Sequence, residues 1–276
     1  MDIFGKTAVV TGAGSGIGRG LALNLSQKGM NVVLVGPHSS SLEDVAAEVN
    51  RGGGQCVCVV ADVSQLEDVR RVADEAVAAF GSVYLLCNNA GVGPIGSCAE
   101  TTLEEWEWTL GVNMWGVIYG IHVFLPLLEA QGEGHINTTA SESGLYGVPY
   151  FAAYNTSKFA VVGLMQSLAR DLRNSRSKVT VSVFCPGAVR TCILESDRSR
   201  PQSASRDVPV SAPTEAFHTM VSQAIATGLP PEDAAMICVE GIRQGKFWIF
   251  SHDHVPETAY KQAEAMLQEQ RLTDLS

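Results

Sequence analysis

The sequence predicts an α/β fold: a doubly wound parallel sheet of about seven strands with helices on both faces. Three observations lead there. Apolar, β-branched runs alternate with amphipathic stretches along most of the chain. A glycine-rich turn, Gly12-Ala13-Gly14-Ser15-Gly16-Ile17-Gly18, joins the first such run to the first amphipathic stretch. The 276 residues are 46% apolar and 17% charged, which supplies a core and argues against disorder.

Residues 7–10 read as the first strand, and the helix after the glycine turn ends near Lys28 and Gly29. Glycines at 12, 16 and 18 let the backbone approach a pyrophosphate, whose charge suits a helix N-terminus. Their spacing differs from the general G-x-G-x-x-G fingerprint. Residues 31–35 form the second strand. In dinucleotide-binding units an acid at its end holds the adenosine ribose. Here the chain reads Gly36-Pro37-His38-Ser39-Ser40-Ser41. Without that acid nothing repels a 2′-phosphate, which His38, Ser39, Ser40 and Ser41 are placed to hydrogen-bond, so NADP(H) is favoured and NAD(H) is the alternative. A serine here is also expected to cap the helix over residues 42–50.

Residues 55–60 and 83–87 are the third and fourth strands, and Ser64 with Glu67 reads as a capping box for the helix between them. Ligands in such sheets bind at the carboxyl ends of strands. Asp62-Val63 and Asn89-Ala90-Gly91 fall there. Turn chemistry alone favours Asn, Asp and Gly at the same places. Residues 103–128 read as one long helix, which Pro126 should kink or end. Asn113 within it needs partners or a function. Residues 134–140 form the fifth strand, whose Asn137, Thr138 and Thr139 also need partners.

Ser141 follows that strand. The next helix, to about residue 174, carries Tyr154 and Lys158 one turn apart on one face. An ammonium beside a phenol favours the phenolate. A tyrosine tuned that way exchanges a proton with an alcohol or carbonyl oxygen, and Ser141 can bond the same oxygen. Tyr-x-x-x-Lys also arises by chance, so its setting must carry the argument. Residues 179–185 are the sixth strand, followed by Pro186-Gly187. Residues 195–213 are rich in Ser, Arg and Pro and are expected to form a mobile substrate lid within about 190–228. A helix to residue 244, a strand at 247–250 and a helical tail from 256 complete the chain.

A net charge of -10 argues against nucleic acid or an anionic membrane surface as partner. No apolar stretch is expected to reach the ~18 residues of a membrane span, and the N-terminus runs into a strand without a signal peptide. Seven cysteines, none spaced C-x-x-C, suit reduced thiols in a cytoplasmic protein better than disulfides or zinc. No metal is expected. No linker or repeat divides the chain, so one domain over 1–276 is expected.

Taken in order, Thr11 to Gly18, Asp62, Asn88-Asn89-Ala90-Gly91, Asn113, Ser141, Tyr154 with Lys158, and Pro186-Gly187 with Thr191 resemble the short-chain dehydrogenase/reductase family over essentially the whole chain. The resemblance implies a single-domain Rossmann fold, NAD(P)-dependent chemistry on CH–OH groups of a small molecule, and a homodimer or homotetramer. Tyr154 resembles the general acid/base, and Lys158 the residue that lowers its pKa and holds the nicotinamide ribose. Ser141 resembles the group that polarises the substrate oxygen, and Asn113 the holder of a relay water. Gly12, Ser15, Gly16, Ile17 and Gly18 would take the pyrophosphate. Asp62 and Val63 would take the adenine, and Asn89, Ala90 and Gly91 the adjoining ribose. Pro186, Gly187, Val189 and Thr191 would flank the carboxamide.

The chain departs from the family pattern at Gly36-Pro37, which has neither acid nor arginine, and at Asn137-Thr138. Ser143 lies near enough to share the role of Ser141, which the spacing to Gly144 favours. The substrate pocket is expected from Ser143, Leu145, Tyr146, Tyr150, Phe151 and Cys192, with stretches 92–95 and 192–217. This lining suits a hydrophobic secondary alcohol or ketone. Residues 195–201 and 245–254 look similar to a subgroup that includes aryl-alcohol dehydrogenases acting on lignin-type ethers, hence an aromatic substrate. The alternative is a catalytically silent dinucleotide-binding regulator or scaffold, against which the intact Asn113, Ser141, Tyr154 and Lys158 set stands.

Overall fold

The computed structural model describes residues 1–201, 210–270 and 272, with the backbone alone at 197 and 198. Seven parallel strands lie in the order β3-β2-β1-β4-β5-β6-β7. They are β1 Thr7–Thr11, β2 Asn31–Gly36, β3 Cys56–Val60, β4 Leu85–Asn88, β5 Gly134–Thr139, β6 Val179–Cys185 and β7 Trp248–Phe250. Strand order reverses between β1 and β4, which opens a crevice at their carboxyl ends.

Alternate residues of each strand face opposite cores. Val9, Val33 and Val35 pack with α3 (Leu66–Phe80), α5 (Gly116–Gln131) and α6 (Ala152–Asn174). Val10, Val32 and Leu34 pack with α1 (Gly16–Gln27), α2 (Ser39–Arg51) and α8 (Pro231–Arg243). Burial on both faces explains why these strands are continuous apolar runs. Strand β5 is the exception. His135 lies fully buried with its ring nitrogens 2.8 Å from the Thr180 and Ser182 hydroxyls, and Asn137 Nδ2 donates to Ser182 Oγ at 2.8 Å. Burial pushes His135 down to about 3, so it stays neutral. His135 and Asn137 thus find partners on β6, whereas Thr138 Oγ1 donates to Met165 Sδ on α6 and Thr139 Oγ1 to Asn89 Oδ1 after β4.

Several helix boundaries correct the sequence reading. Helix α2 starts at Ser39 with His38 as N-cap, and no serine side chain caps it. Ser41 Oγ donates to His38 O instead. The expected capping box of Ser64 and Glu67 does not form, because α3 starts at Leu66. Ser64 is held by Asp62 Oδ1, and the Asp68 carboxylate takes the Asp62 N–H at 2.8 Å. A capping box does form where none was expected, between Thr102 and Glu105 at the start of α4 (Leu103–Leu110). The single helix expected over 103–128 is interrupted by a π turn, Gly111–Trp115, before α5. Pro126 lies inside α5 and does not end it. Residues 103–131 are long and apolar enough to cross a membrane by length and composition, contrary to expectation. One face of the stretch buries Asn113 and packs on α3, α6 and the sheet.

Candidate active site

The site grows from the carboxyl edge of the sheet. Thr11 Oγ1 accepts from the backbone N–H groups of Asn89 and Ala90 at 2.9 and 3.0 Å, and donates to Cys87 O at 3.3 Å. Asn89 Nδ2 donates back to Thr11 O at 3.0 Å, and Thr139 Oγ1 donates to Asn89 Oδ1 at 3.2 Å. These bonds lock the ends of β1, β4 and β5 together at the switch point. A cavity of about 1050 Å³ runs along this edge.

One end of the cavity is backbone. Gly12 sits at φ +66, and a side chain there would meet Ala90 Cα at 2.9 Å. A side chain on Gly18 would press into the Gly12 carbonyl. The turn therefore needs glycines and leaves its surface to the N-terminus of α1, an arrangement that fits a pyrophosphate. Ser15, Gly16 and Ile17 continue that wall, with Asp62, Val63, Asn89, Ala90 and Gly91 opposite. Pro186, Gly187, Val189 and Thr191 close the far side. Of the residues expected at the 2′-position, His38, Ser40 and Ser41 line the cavity and Ser39 does not. No carboxylate stands among residues 36–41.

The four expected catalytic residues meet, with Asn113 set behind the cavity wall. Lys158, 3% exposed, donates from Nζ to Thr139 O at 2.9 Å, with its nitrogen 5.4 Å from the centre of the Tyr154 ring. The Ser141 hydroxyl accepts from Ser143 N at 3.1 Å and faces the Tyr154 phenol closely enough to ease its ionisation. Asn113 accepts from Val92 N at 2.8 Å, and its Nδ2 donates to Val92 O at 2.8 Å and Ser157 Oγ at 3.0 Å. Its side chain is committed, so it braces the loop after β4 against α6.

Charge at this centre differs from expectation. Burial pushes the Tyr154 phenol up to about 12; the Ser141 hydrogen bond opposes that rise and the Glu142 charge adds to it. Burial pulls Lys158 down to about 8. The expected lowering of the tyrosine by Lys158 is outweighed, because the same burial that brings the two groups together weakens the ammonium as a charged neighbour.

The outer wall is apolar. Ser143, Phe151 and Cys192 line the cavity as expected. Leu145 does not, since it packs into the core beneath α6; nor does Tyr146, which is buried with its hydroxyl on Glu142, and Tyr150 stands behind the wall against Phe217, ring centres 5.2 Å apart. Phe151 packs 5.3 Å from Tyr154 and edge-on to Phe217 at 5.6 Å. The sequence reading missed Trp108, Met220, Val221 and Ile225. Positions 217, 220, 221, 224 and 225 form one stripe of α7 (Ala212–Ala226), a signal that was present in the spacing.

Two carboxylates on the segment entering α4 hold the flanks of the expected lid. Arg200 pairs with fully buried Glu105 at 2.5 Å and lies 5.0 Å over the Trp108 ring. Glu100 accepts from Ser211 N at 2.8 Å and Thr214 Oγ1 at 2.7 Å. Residues Ile193–Ser199 form two short 3-10 turns separated by a kink at Glu195. The central part of the expected lid, residues 202–209 with Arg206, lies outside the described residues.

The short chain dehydrogenase family model matches residues 6–202. The chain is 35% identical to the 1-deoxy-11-beta-hydroxypentalenate dehydrogenase of Streptomyces exfoliatus, over 91% of this chain and 85% of that one. It is 31% identical to the C alpha-dehydrogenase of Sphingobium sp. strain SYK-6, over 96% and 87%. A solved short chain dehydrogenase/reductase from Burkholderia phymatum in complex with NAD superposes with a TM-score of 0.96 at 36% identity, covering 100% of this chain and 99% of that one. The chain belongs to the short-chain dehydrogenase/reductase family of oxidoreductases.

Proposed function

We propose that the protein interconverts a hydrophobic, aromatic secondary alcohol and its ketone with NAD(P)(H), using Tyr154 as general acid/base. One observation carries this reading: Ser141, Tyr154 and Lys158 line one cavity together with the glycine turn on one side and Phe151 and Phe217 on the other. The dinucleotide, when bound, takes or supplies the hydride. Gly12, Ser15, Gly16, Ile17 and Gly18 hold its pyrophosphate, Asp62 and Val63 its adenine, and Asn89, Ala90 and Gly91 its adenosine ribose. Lys158 holds the second ribose, and Thr191 beside Pro186, Gly187 and Val189 takes the carboxamide. Ser141 donates to the substrate oxygen, and Tyr154 gives or takes the proton on that oxygen. A water relay at Asn113 uses its main-chain carbonyl, because the side chain is occupied by Val92 and Ser157.

The aromatic substrate rests on Phe151, Phe217 and Trp108 around the outer half of the cavity. NADP(H) is the preferred cofactor, because residues 36–41 offer His38, Ser40 and Ser41 and no acid. The NAD-bound relative from Burkholderia phymatum favours the second reading, NAD(H). Trp115 and Phe159, each close to half exposed on helical faces, support a homodimer or homotetramer, and the family's chemistry suits a single cytoplasmic domain.

The test is a titration with NADPH and NADH followed by nicotinamide fluorescence, then absorbance at 340 nm with a panel of aryl and aliphatic secondary alcohols. The expected result is tighter NADPH binding and turnover of aryl alcohols. Dinucleotide binding without turnover of any alcohol would favour a silent regulator. Light scattering on the same preparation is expected to show a dimer or larger, and a monomer would sink the pairing.

A further inference from the structure

Glu142 stands between Ser141 and Ser143 and lines the cavity, yet neither the family motif nor the chemistry above uses it. Its Oε2 accepts from the Tyr146 hydroxyl at 2.7 Å and lies 3.2 Å from His254 Nε2. Its backbone N–H donates to Pro186 O at 2.9 Å, and its carbonyl accepts from Leu145 N and Tyr146 N at 2.9 and 3.3 Å. His254 opens α9 (His254–Gln268), far along the chain from the serine turn. The same C-terminal segment backs the Pro186-Gly187 turn: Ser251 Oγ accepts from Gly187 N at 3.2 Å. A side chain on Gly187 would meet His252 Nδ1 at 3.0 Å and His254 Cε1 at 3.2 Å. Glu142 is therefore the point where the serine turn, the Pro-Gly turn and the C-terminal segment are tied together.

We propose that Glu142 is a positioning residue for the Ser141–Tyr154 pair: pinned by Tyr146 and His254, it fixes the serine turn and keeps a carboxylate in the cavity beside the reacting pair. This rests on the assignment of Tyr154 as general acid/base. The charged and titratable groups around the carboxylate come from four elements. Tyr146 follows the serine turn, and Tyr154 and Lys158 lie on α6. Cys185 ends β6, facing Lys158, and His252, Asp253 and His254 come from the C-terminal segment. A carboxylate near the phenol raises the cost of ionising it. The charge thus favours the protonated, acid form of Tyr154, which serves ketone reduction, and delays alcohol oxidation to higher pH.

The experiment measures the pH profile of kcat/KM for alcohol oxidation with wild type, Glu142→Gln and Glu142→Asp. Gln keeps the size and the acceptor for Tyr146 but removes the charge. Its rising limb is expected to move down by about 0.5–1 pH unit, with dinucleotide affinity and melting temperature near wild type. Asp keeps the charge but not the reach to Tyr146 and His254, so its limb is expected to stay in place while kcat falls. An unmoved limb in Glu142→Gln overturns the charge role even if kcat falls, since a merely structural residue would act that way. A second readout does not need turnover. In protein carrying 3-fluorotyrosine, the ¹⁹F resonance assigned with Tyr154→Phe reports ionisation at this ring directly. Its midpoint is expected to move down in Glu142→Gln, and an unmoved midpoint overturns the inference whether or not the protein oxidises alcohols. Wild-type protein with a movable midpoint and no turnover would instead count against the oxidoreductase reading alone.

Discussion

Along the dinucleotide side of the cavity, shape is set by backbone: Gly12 and Gly18 leave no room for side chains, and Thr11 pins the loop after β4 by main-chain bonds. Along the substrate side, shape is set by side chains. Phe151 comes from the start of α6 and Phe217 and Met220 from α7, far apart in sequence, and the flanks are tethered by Arg200 to Glu105 and by Ser211 and Thr214 to Glu100. A backbone wall tolerates little change and recognises what all substrates share. A side-chain wall can be redrawn residue by residue without touching the chemistry. Tyr154 and Lys158 stand where the two walls meet.

The sharpest way to break this division is Tyr154→Phe. Loss of general acid/base catalysis is worth about 10²–10⁴-fold, so turnover should fall by at least that lower bound. The phenol belongs to the chemistry and not to the backbone wall, so dinucleotide affinity, read by nicotinamide fluorescence, should stay within a few-fold. Comparable loss of both would show that the walls are not separable at this residue.

A second test uses the cost of the junction itself. Lys158 is almost wholly buried, and its ammonium falls from 10.5 to about 8 on burial. A base whose folded pKa is depressed binds fewer protons folded than unfolded between those two values. Below about pH 8 the charged form is present in both states, so the protein carries the full penalty of burying it. The penalty fades as pH rises toward 10.5, where the lysine is neutral in both. Lys158→Met should therefore raise stability at pH 7 by roughly 2–3 kcal/mol, less the ~1 kcal/mol lost with the bond to Thr139 O. The gain should shrink toward pH 10, and turnover should be lost. Denaturant midpoints at the two pH values decide it; a variant less stable at pH 7 would mean that the Thr139 bond outweighs the buried charge.

The same division explains what the sequence made legible. The backbone wall depends on residues close together in the chain, a strand, a glycine turn and a helix, so Gly12 to Gly18 and Asn89 to Gly91 could be placed from spacing alone. Tyr154 and Lys158 were legible because one helical turn fixes their relation. Leu145 and Tyr150 were misplaced because they follow Ser141 in sequence but turn into the core and behind Phe217. The direction of a side chain in an irregular segment is decided by what packs on it. The α7 stripe was readable as an amphipathic face, but not as one that turns to a cavity instead of the core. Serine caps at Ser39 to Ser41 and Ser64 failed because the helices start elsewhere: α2 begins at Ser39 itself with His38 as N-cap, and α3 begins at Leu66 with Gln65 as N-cap. The lowered tyrosine pKa failed because proximity was read without the burial that accompanies it.

The smallest expected effect tests the side-chain wall. Phe217 is 8% exposed, packs against Phe151 and Tyr150, and turns its remaining surface to the cavity. Leucine keeps an apolar surface but loses part of the aromatic contact, a change of about 0.5–1.5 kcal/mol. That corresponds to a rise in KM of roughly 2–10-fold for a bulky aryl alcohol. A small aliphatic alcohol, which does not reach α7, should be affected less, so the ratio of the two kcat/KM values should move toward the smaller substrate. Dinucleotide affinity should not move, because no backbone bond to Thr11 or the glycine turn passes through Phe217. A loss that is equal for both alcohols would place Phe217 among the residues that hold Phe151 against Tyr154, and the line between recognition and chemistry would then have to be drawn further out along α7.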